Sequence, residues 1–352
     1  MAKNVNIFYS NWTNTGEKVQ VDKWTVDFRI EWQDYTGQAH SWEGVVTFPN
    51  DLALVPAKWL KEEMLDLILR AARKKLNVDP DLDELDLDNI SFIGGFENDL
   101  YQYPEAVNNW HDPQPYPTGD RLTRVNSPVR KGNYALRVEV RSGDDYGWSG
   151  ERAELYGMYG GDGLQIYENE SSGTQFYAIS IYLPSDWSPP VTNDPWEPYG
   201  VFMQLHGPDV LSASPSFSLN VLNTYFVHMH SGDADDLNNP SVANIEKYDC
   251  GSVVLNGWVD FIFKVKWAKT FTGEVEVWRR NPGADFVKVV SVADIPTLVF
   301  KSSVGGGVVG NHYWKTGFYR STEPDLTNVV YLDCHTRGLT FKDVNIMAFG
   351  EV

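Results

Sequence analysis

Three short stretches place proton-transferring and charge-neutralising side chains at alternate positions. In NHYWKTGFYRS, residues 311–321, Tyr313, Lys315, Gly317 and Tyr319 fall on one face of an extended strand, and Trp314, Thr316 and Phe318 on the other. In VFMQLHG, Phe202, Gln204 and His206 alternate with Val201, Met203 and Leu205; in ERAEL, Arg152 and Glu154 share a face. An imidazole titrates near neutral pH and suits a general base. A phenol has an ordinary pKa of about 10, so its ionisation near neutrality needs cations beside it. Lys315, two residues from Tyr313, is placed to supply one. Arg152 offers a forked donor that matches a carboxylate. Side chains of these types can transfer protons and neutralise anionic groups.

Other strands repeat the pattern. In YALRVEVRS, Arg137, Glu139 and Arg141 oppose Leu136, Val138 and Val140. In DFIFKVKW, Lys264 and Lys266 oppose Phe261, Phe263 and Val265, and in YFVHMH, His228 and His230 align. Each pair alone is ordinary solvent-facing decoration. Several together, rich in Arg, Lys, His, Gln and Tyr where a merely wet face favours Thr, Ser and Glu, suit a concave groove for an anionic chain.

The elements that must carry these residues are strands. From Ile90 to Val352, short alternating runs are separated by Gly, Pro, Asn and Asp, with no long helix and no fixed-period repeat. This predicts a mainly β fold, a two-sheet β-jelly-roll sandwich. Residues 1–88 read as a smaller domain. Alternating runs fill 4–48, and a helix is expected from Pro56 to Leu76, where Trp59, Leu60, Met64, Leu67, Ile68 and Ala71 recur at helical spacing. The acidic run DPDLDELDLDN, 79–89, then reads as a solvated linker to the main domain, 89–352.

Composition bounds the partners. The chain has 352 residues and a net charge of −19, which argues against nucleic acid or an anionic membrane as a partner and requires any site for a polyanion to concentrate positive charge locally. The 13 Trp and 18 Tyr exceed what a plain core needs and suit sugar-facing surfaces. No apolar run is long enough to span a membrane. The start, MAKNVNIFYSNWT, lacks the apolar core of a signal peptide. Cys250 and Cys334 are too few for a disulfide framework and read as core thiols.

Competing sites are weaker. GDADDLNN, 232–239, is either a solvated loop or a structural calcium loop, and the acidic run 79–89 lacks the glycine of an EF-hand. His228 and His230 have no evident third metal ligand. GGGVVG, 305–310, lacks the Lys-Ser/Thr of a phosphate loop and reads as a loop beside the groove. A glycoside hydrolase would need a pair of carboxylates, for which Glu274 and Glu276 in GEVEVW are the candidates.

RAEL, QLHG and YWKTGFYRS, in that order, resemble the three motif strands of β-jelly-roll polysaccharide lyases: the alginate lyases with R-x-E-L, Q-x-H and Y-F-K-x-G-x-Y, and the related glucuronan lyases. GFENDLYQYP, KGNYALRVEVRSGDD and WVDFIFKVKWAKTFTGEVEVW add to the resemblance, which spans residues 91–350. Trp314 stands where Phe is usual, and RSTEPD replaces the Asn-Gln segment after Tyr319, which leaves substrate choice open. Residues 1–88 have no counterpart. The resemblance implies β-elimination on a 4-linked uronic-acid polymer, with Arg152 and Gln204 neutralising the carboxylate, His206 as base and Tyr313 as acid, or as both. Arg137, Arg141, Lys264, Lys315, Tyr319 and Arg320 are expected to contact the polymer. No redox cofactor or nucleotide is required. The alternative is a non-catalytic carbohydrate-binding or structural module. A lyase without a secretion signal fits an extracellular or virion-associated protein released by lysis, with 1–88 docking to virion proteins or to a second copy of the chain.

Overall fold

The chain divides into two compact units, Met1–Asp86 and Leu87–Val352. The computed structural model describes residues 3–10, 23–33 and 39–49 of the first unit. It describes 89–350 of the second, apart from 98, 103–107, 115–118, 146–149, 192–197, 209–210 and 212–213. The helix expected over Pro56–Leu76 lies outside the described residues, as does the acidic run 79–89 except for Asn89.

In the first unit, β1 (Lys3–Ser10), β2 (Lys23–Gln33) and β3 (Ala39–Pro49) form an antiparallel sheet in the order β1-β2-β3.

The second unit continues with β4 (Ile90–Gly94), β5 (Asn109–Gln114), β6 (Leu122–Val125), β7 (Ala135–Val140), β8 (Glu151–Tyr159) and β9 (Thr174–Tyr182). Next come β10 (Gly200–His206), β11 (Phe217–Val221), β12 (Thr224–Asp233), β13 (Ala243–Ser252) and β14 (Trp258–Lys266). The chain ends through β15 (Gly273–Arg280), β16 (Val287–Ile295), β17 (Val299–Phe300), β18 (Tyr313–Arg320), β19 (Asn328–Gly338) and helix α1 (Phe341–Phe349). Among the described residues these strands make two eight-stranded sheets. The first has the order β13-β12-β11-β10-β18-β8-β5, with β17 on β12; the second has the order β16-β15-β14-β9-β19-β7-β6, with β4 on β19.

The two sheets form a sandwich because one side of almost every strand is apolar. Phe217, Leu219 and Val221 of β11, Trp314 and Phe318 of β18, and Val259, Phe261, Phe263 and Val265 of β14 belong to one buried cluster between the sheets. Trp314 of the first sheet meets Tyr177 of the second at 4.8 Å between ring centroids. Burying each such side chain contributes about 1.5–3 kcal/mol, which sets the register of each strand, since a one-residue slip turns the whole set to water.

Alternation fails within β10. Between Val201 and Met203 the register shifts against both β11 and β18, and Phe202 and Met203 are both in the core at 1% exposure. Phe202 was expected beside Gln204 and His206; the bulge turns it inward against Phe318, at 5.4 Å.

Helix α1 was not expected. Thr340 caps it, its hydroxyl accepting from Asp343 N, and Gly350 ends it in the left-handed conformation (φ 71°). It covers part of the second sheet's outer face, packing Val344, Ala348 and Phe349 on Ala178, Ile262 and Cys334. Both cysteines are free and buried.

Candidate active site

The outward face of the first sheet carries the site. Pairing in register lines up His228, Ser218, Gln204, Lys315 and Tyr156 across five strands, β12 to β8. Beside this row His206 pairs with Tyr313. On the other side, Val201, Tyr319 and Arg152 pair in turn. The three sequence stretches therefore lie on neighbouring strands, β10, β18 and β8, and their alternating polar residues share one surface.

The His206 and Tyr313 rings lie 5.2 Å apart, tilted by 31°. The Nδ1 of His206 lies 2.7 Å from the carbonyl oxygen of Gly207. A carbonyl only accepts, so Nδ1 carries a proton, and the neutral form of the ring then has its lone pair on Nε2, as a base needs. Tyr313 also meets Tyr156 edge-on at 5.1 Å, and Lys315 Nζ is 5.6 Å from the centre of the Tyr313 ring.

On the other side of Lys315, the Arg152 guanidinium lies 3.7 Å over the Tyr319 ring, which fixes its plane. The Tyr319 hydroxyl accepts from Tyr199 at 2.9 Å. Burial first, then the neighbouring Tyr319, push the Tyr199 phenol well up, so it stays neutral. Glu154, 1% exposed, lies between the two groups expected to hold a carboxylate. Its Oε1 accepts from Gln204 Nε2 and its Oε2 lies 3.8 Å from Arg152 Nη1.

Beneath this surface two buried groups fix where β18 begins. Glu168 exchanges both backbone hydrogen bonds with His312 at 2.9 Å, and its carboxylate accepts from Arg337 Nε (2.8 Å), Tyr177 (2.6 Å) and Trp314 Nε1 (3.3 Å). A buried carboxylate satisfied in this way holds the strand ahead of Tyr313. His312 is fully buried next to His206, its Nδ1 2.9 Å from Gly310 O. Burial above all, with the charge of His206 adding, pushes its imidazole down to about 4. Gly310, in the glycine-rich 305–310 loop, sits against Pro208, which places that loop beside His206.

Four expected contacts lie elsewhere. Arg137 is on β7 of the second sheet, paired with Glu139, and Arg141 follows it, paired with Glu139 and Asp120. Lys264 is on β14 of the second sheet, 3.0 Å from Glu274 and 3.4 Å from Glu276. Both sheets of a sandwich have polar outer faces, and period-two alternation does not say which sheet a strand joins. Arg320 shares the Trp314 side of β18, not the Tyr313 side. It is 0% exposed and bonded to Glu151 (2.7 Å), Asn328 (2.6 Å) and the Leu326 carbonyl (2.7 Å). Glu274 and Glu276, the carboxylates a hydrolase would need, are held in ion pairs with Lys264, and Glu276 also with Lys288.

Tyr156, Tyr199, His111 and His312 were not singled out from the sequence. Continuing the RAEL alternation by one step reaches Tyr156. His111 of β5, which stacks on Tyr159 at 4.8 Å, gave no such signal. His228 and His230 lie on this face, rings 5.9 Å apart, and no group of three metal-binding side chains occurs among the described residues. In the 232–239 loop, Asp233 and Asp235 accept from the backbone N–H groups of Ser302 and Ser303, an ordinary loop-pinning use of carboxylates.

A family model described as polysaccharide lyase matches residues 98–335. Among solved structures, the chain is similar to an endo-β-1,4-glucuronan lyase from the fungus Trichoderma reesei, at 19% identity and TM-score 0.52, covering 72% of this chain and 98% of that one. It also matches the catalytic domain of a glycoside hydrolase family 131 protein from Coprinopsis cinerea (14%, TM-score 0.43, 72% and 95%). A third match is the marine alginate lyase from Aplysia kurodai (12%, TM-score 0.39, 63% and 87%). A search of curated proteins gives no match. The likeness to the fungal structure is one of fold.

Proposed function

The chain belongs to the polysaccharide lyase family, and we propose that it cleaves a 4-linked uronic-acid polymer by β-elimination on the outward face of the first sheet. The observation that carries this reading is the pairing of His206 with Tyr313 beside Gln204 and Lys315, with Arg152 on the same surface.

The chemistry needs such a surface. The proton on C5 of a uronate is barely acidic, because removing it puts a second negative charge next to the carboxylate. Arg152 and Gln204 hold that carboxylate and stabilise the charge as it builds. The Nε2 atom of His206 takes the C5 proton. The C–H electron pair becomes the C4–C5 double bond, the bond from C4 to the glycosidic oxygen breaks, and Tyr313 gives its proton to the departing oxygen. His206 then returns a proton to the phenolate directly or through water, so the site ends as it began. Lys315 stabilises the transient phenolate, and Tyr319, stacked under the Arg152 guanidinium, holds that donor in place.

The fungal structure names glucuronan and the marine one alginate, so these are the first polymers to test. Incubation with a panel of uronate polymers should produce ultraviolet absorbance from the unsaturated sugar on at least one. New reducing ends without that absorbance would mean hydrolysis and overturn the reading.

A further inference from the structure

We propose that the outer face of the second sheet is a second binding surface for the same acidic polysaccharide. Its chemical class rests on the substrate reading above; its existence rests on separate observations. On that face Trp258, Tyr182, Tyr331 and Arg137 pair in turn across β14, β9, β19 and β7. Ring centroids are 5.6 Å apart from Trp258 to Tyr182 and 5.7 Å from Tyr182 to Tyr331. All three rings are half-buried. The row therefore crosses three strands at a spacing set by the sheet, about 4.8 Å per strand, close to the advance of one pyranose ring in a 4-linked chain.

At the Trp258 end lies a cleft of about 350 Å³ lined by Arg130, Trp258, Asp260, Arg280 and the turn 281–284. It holds two guanidinium groups and one carboxylate. Asp260 accepts from both arginines, at 3.0 Å from Arg130 and 2.8 Å from Arg280, and from Ser180 at 2.6 Å. Arg280 also stacks on Phe286 and Phe349, at 4.5 and 4.9 Å. The guanidinium planes are thus fixed before any ligand arrives. The other end of the row has Arg137 with its partner Glu139. In a chain of net charge −19, a cleft with surplus positive charge at the end of an aromatic row is a local reversal of sign. Aromatic rings stack on the apolar faces of sugars, and guanidinium groups receive their carboxylates.

Affinity electrophoresis of the full chain through gels containing glucuronan, alginate or neutral hydroxyethyl cellulose tests this. The groove is first disabled by combining Arg152→Ala and Gln204→Ala. Retardation by an acidic polymer should persist, weaken on the order of tenfold with Trp258→Ala, and survive in Trp258→Phe. Tyr331→Ala should act like Trp258→Ala and carries the test if the latter fails to fold, as read from its thermal midpoint. Loss of all retardation on disabling the groove, retardation unchanged by the aromatic substitutions, or equal retardation by the neutral polymer would each overturn the proposal. Retardation that depends on Trp258 in a chain that cleaves no polyuronate would uphold this surface while refuting the catalytic reading.

Discussion

Gln204 of β10 donates its side-chain N–H to Glu154 of β8, reaching across β18 where the intervening strand carries Gly317, in register with Glu154. Gly317 has φ 148°, and a Cβ there would lie 2.1 Å from the Ala153 carbonyl oxygen, so the close approach of β8 and β18 depends on the missing side chain. Glu154 Oε1 accepts from Gln204 Nε2, which fixes which end of the Gln204 amide faces it.

Glu154→Gln removes that constraint while keeping the shape. Gln204 can then turn either way, and the substrate carboxylate loses a fixed donor. Turnover per unit substrate, kcat/KM, should fall by about tenfold to a hundredfold, with the thermal midpoint little changed. Steady-state kinetics with a defined oligouronate checks this; unchanged kcat/KM would remove Glu154 from the positioning of Gln204.

Much of this site was legible in the sequence because its strands alternate. Tyr313, Lys315, Gln204, His206 and Arg152 were assigned to polar faces by period two, and core residues such as Trp314 and Leu205 confirm that phase at 0% exposure. Three things were not legible. Alternation does not say which sheet a strand joins, so Arg137, Arg141 and Lys264, expected beside the groove strands, lie on or next to strands of the second sheet. The phase of YWKTGFYR already put Arg320 with Trp314, but its charge outweighed its position; the buried Glu151 that pays for that charge is distant in sequence. The bulge at Phe202 breaks the alternation with no glycine or proline at that position to announce it. Helix α1, by contrast, had a readable signal in Thr340, Asp343 and Gly350, hidden among strands.

Tyr313→Phe deletes only the hydroxyl of a half-buried ring that keeps its contacts with His206 and Tyr156. Loss of proton transfer to the leaving oxygen should lower kcat by at least about a hundredfold. Oligosaccharide binding and thermal stability should stay near the parent values. Near-normal turnover would remove Tyr313 from the mechanism.

Buried His312 ties stability to pH. Its folded value is about 4, below the ordinary imidazole value of about 6.5, so between these pH values the unfolded chain binds a proton that the folded chain does not. Its contribution is full above pH 6.5 and is lost as pH falls towards 4, a change of about 3 kcal/mol. His335, pushed down to about 3 by burial, acts in the same direction. Asp333, pushed up to about 7 by burial, acts oppositely, since its folded carboxyl keeps a proton that the unfolded one loses. The direct check is denaturant unfolding from pH 4 to 7 for the parent and His312→Asn. The variant should show the shallower rise of stability with pH, and parallel curves would contradict the assignment.

Lys264→Ala separates the two sheets' outer faces. The Lys264 ammonium pairs with Glu274 and Glu276 on the second sheet, part-exposed, where such a pair contributes about 0–1 kcal/mol. Removing it should leave turnover on soluble oligouronates unchanged and shift the unfolding midpoint only slightly. A severalfold fall in kcat/KM would return Lys264 to the groove.

Mass spectrometry of the products from one defined oligouronate tests β-elimination most directly. Elimination adds no water across the broken bond, so the two product masses must sum to that of the parent, with the unsaturated sugar on the fragment that begins at the new non-reducing end. In Tyr313→Phe the same products should appear far more slowly. Product masses that sum to the parent plus one water, with both fragments saturated, would contradict the account.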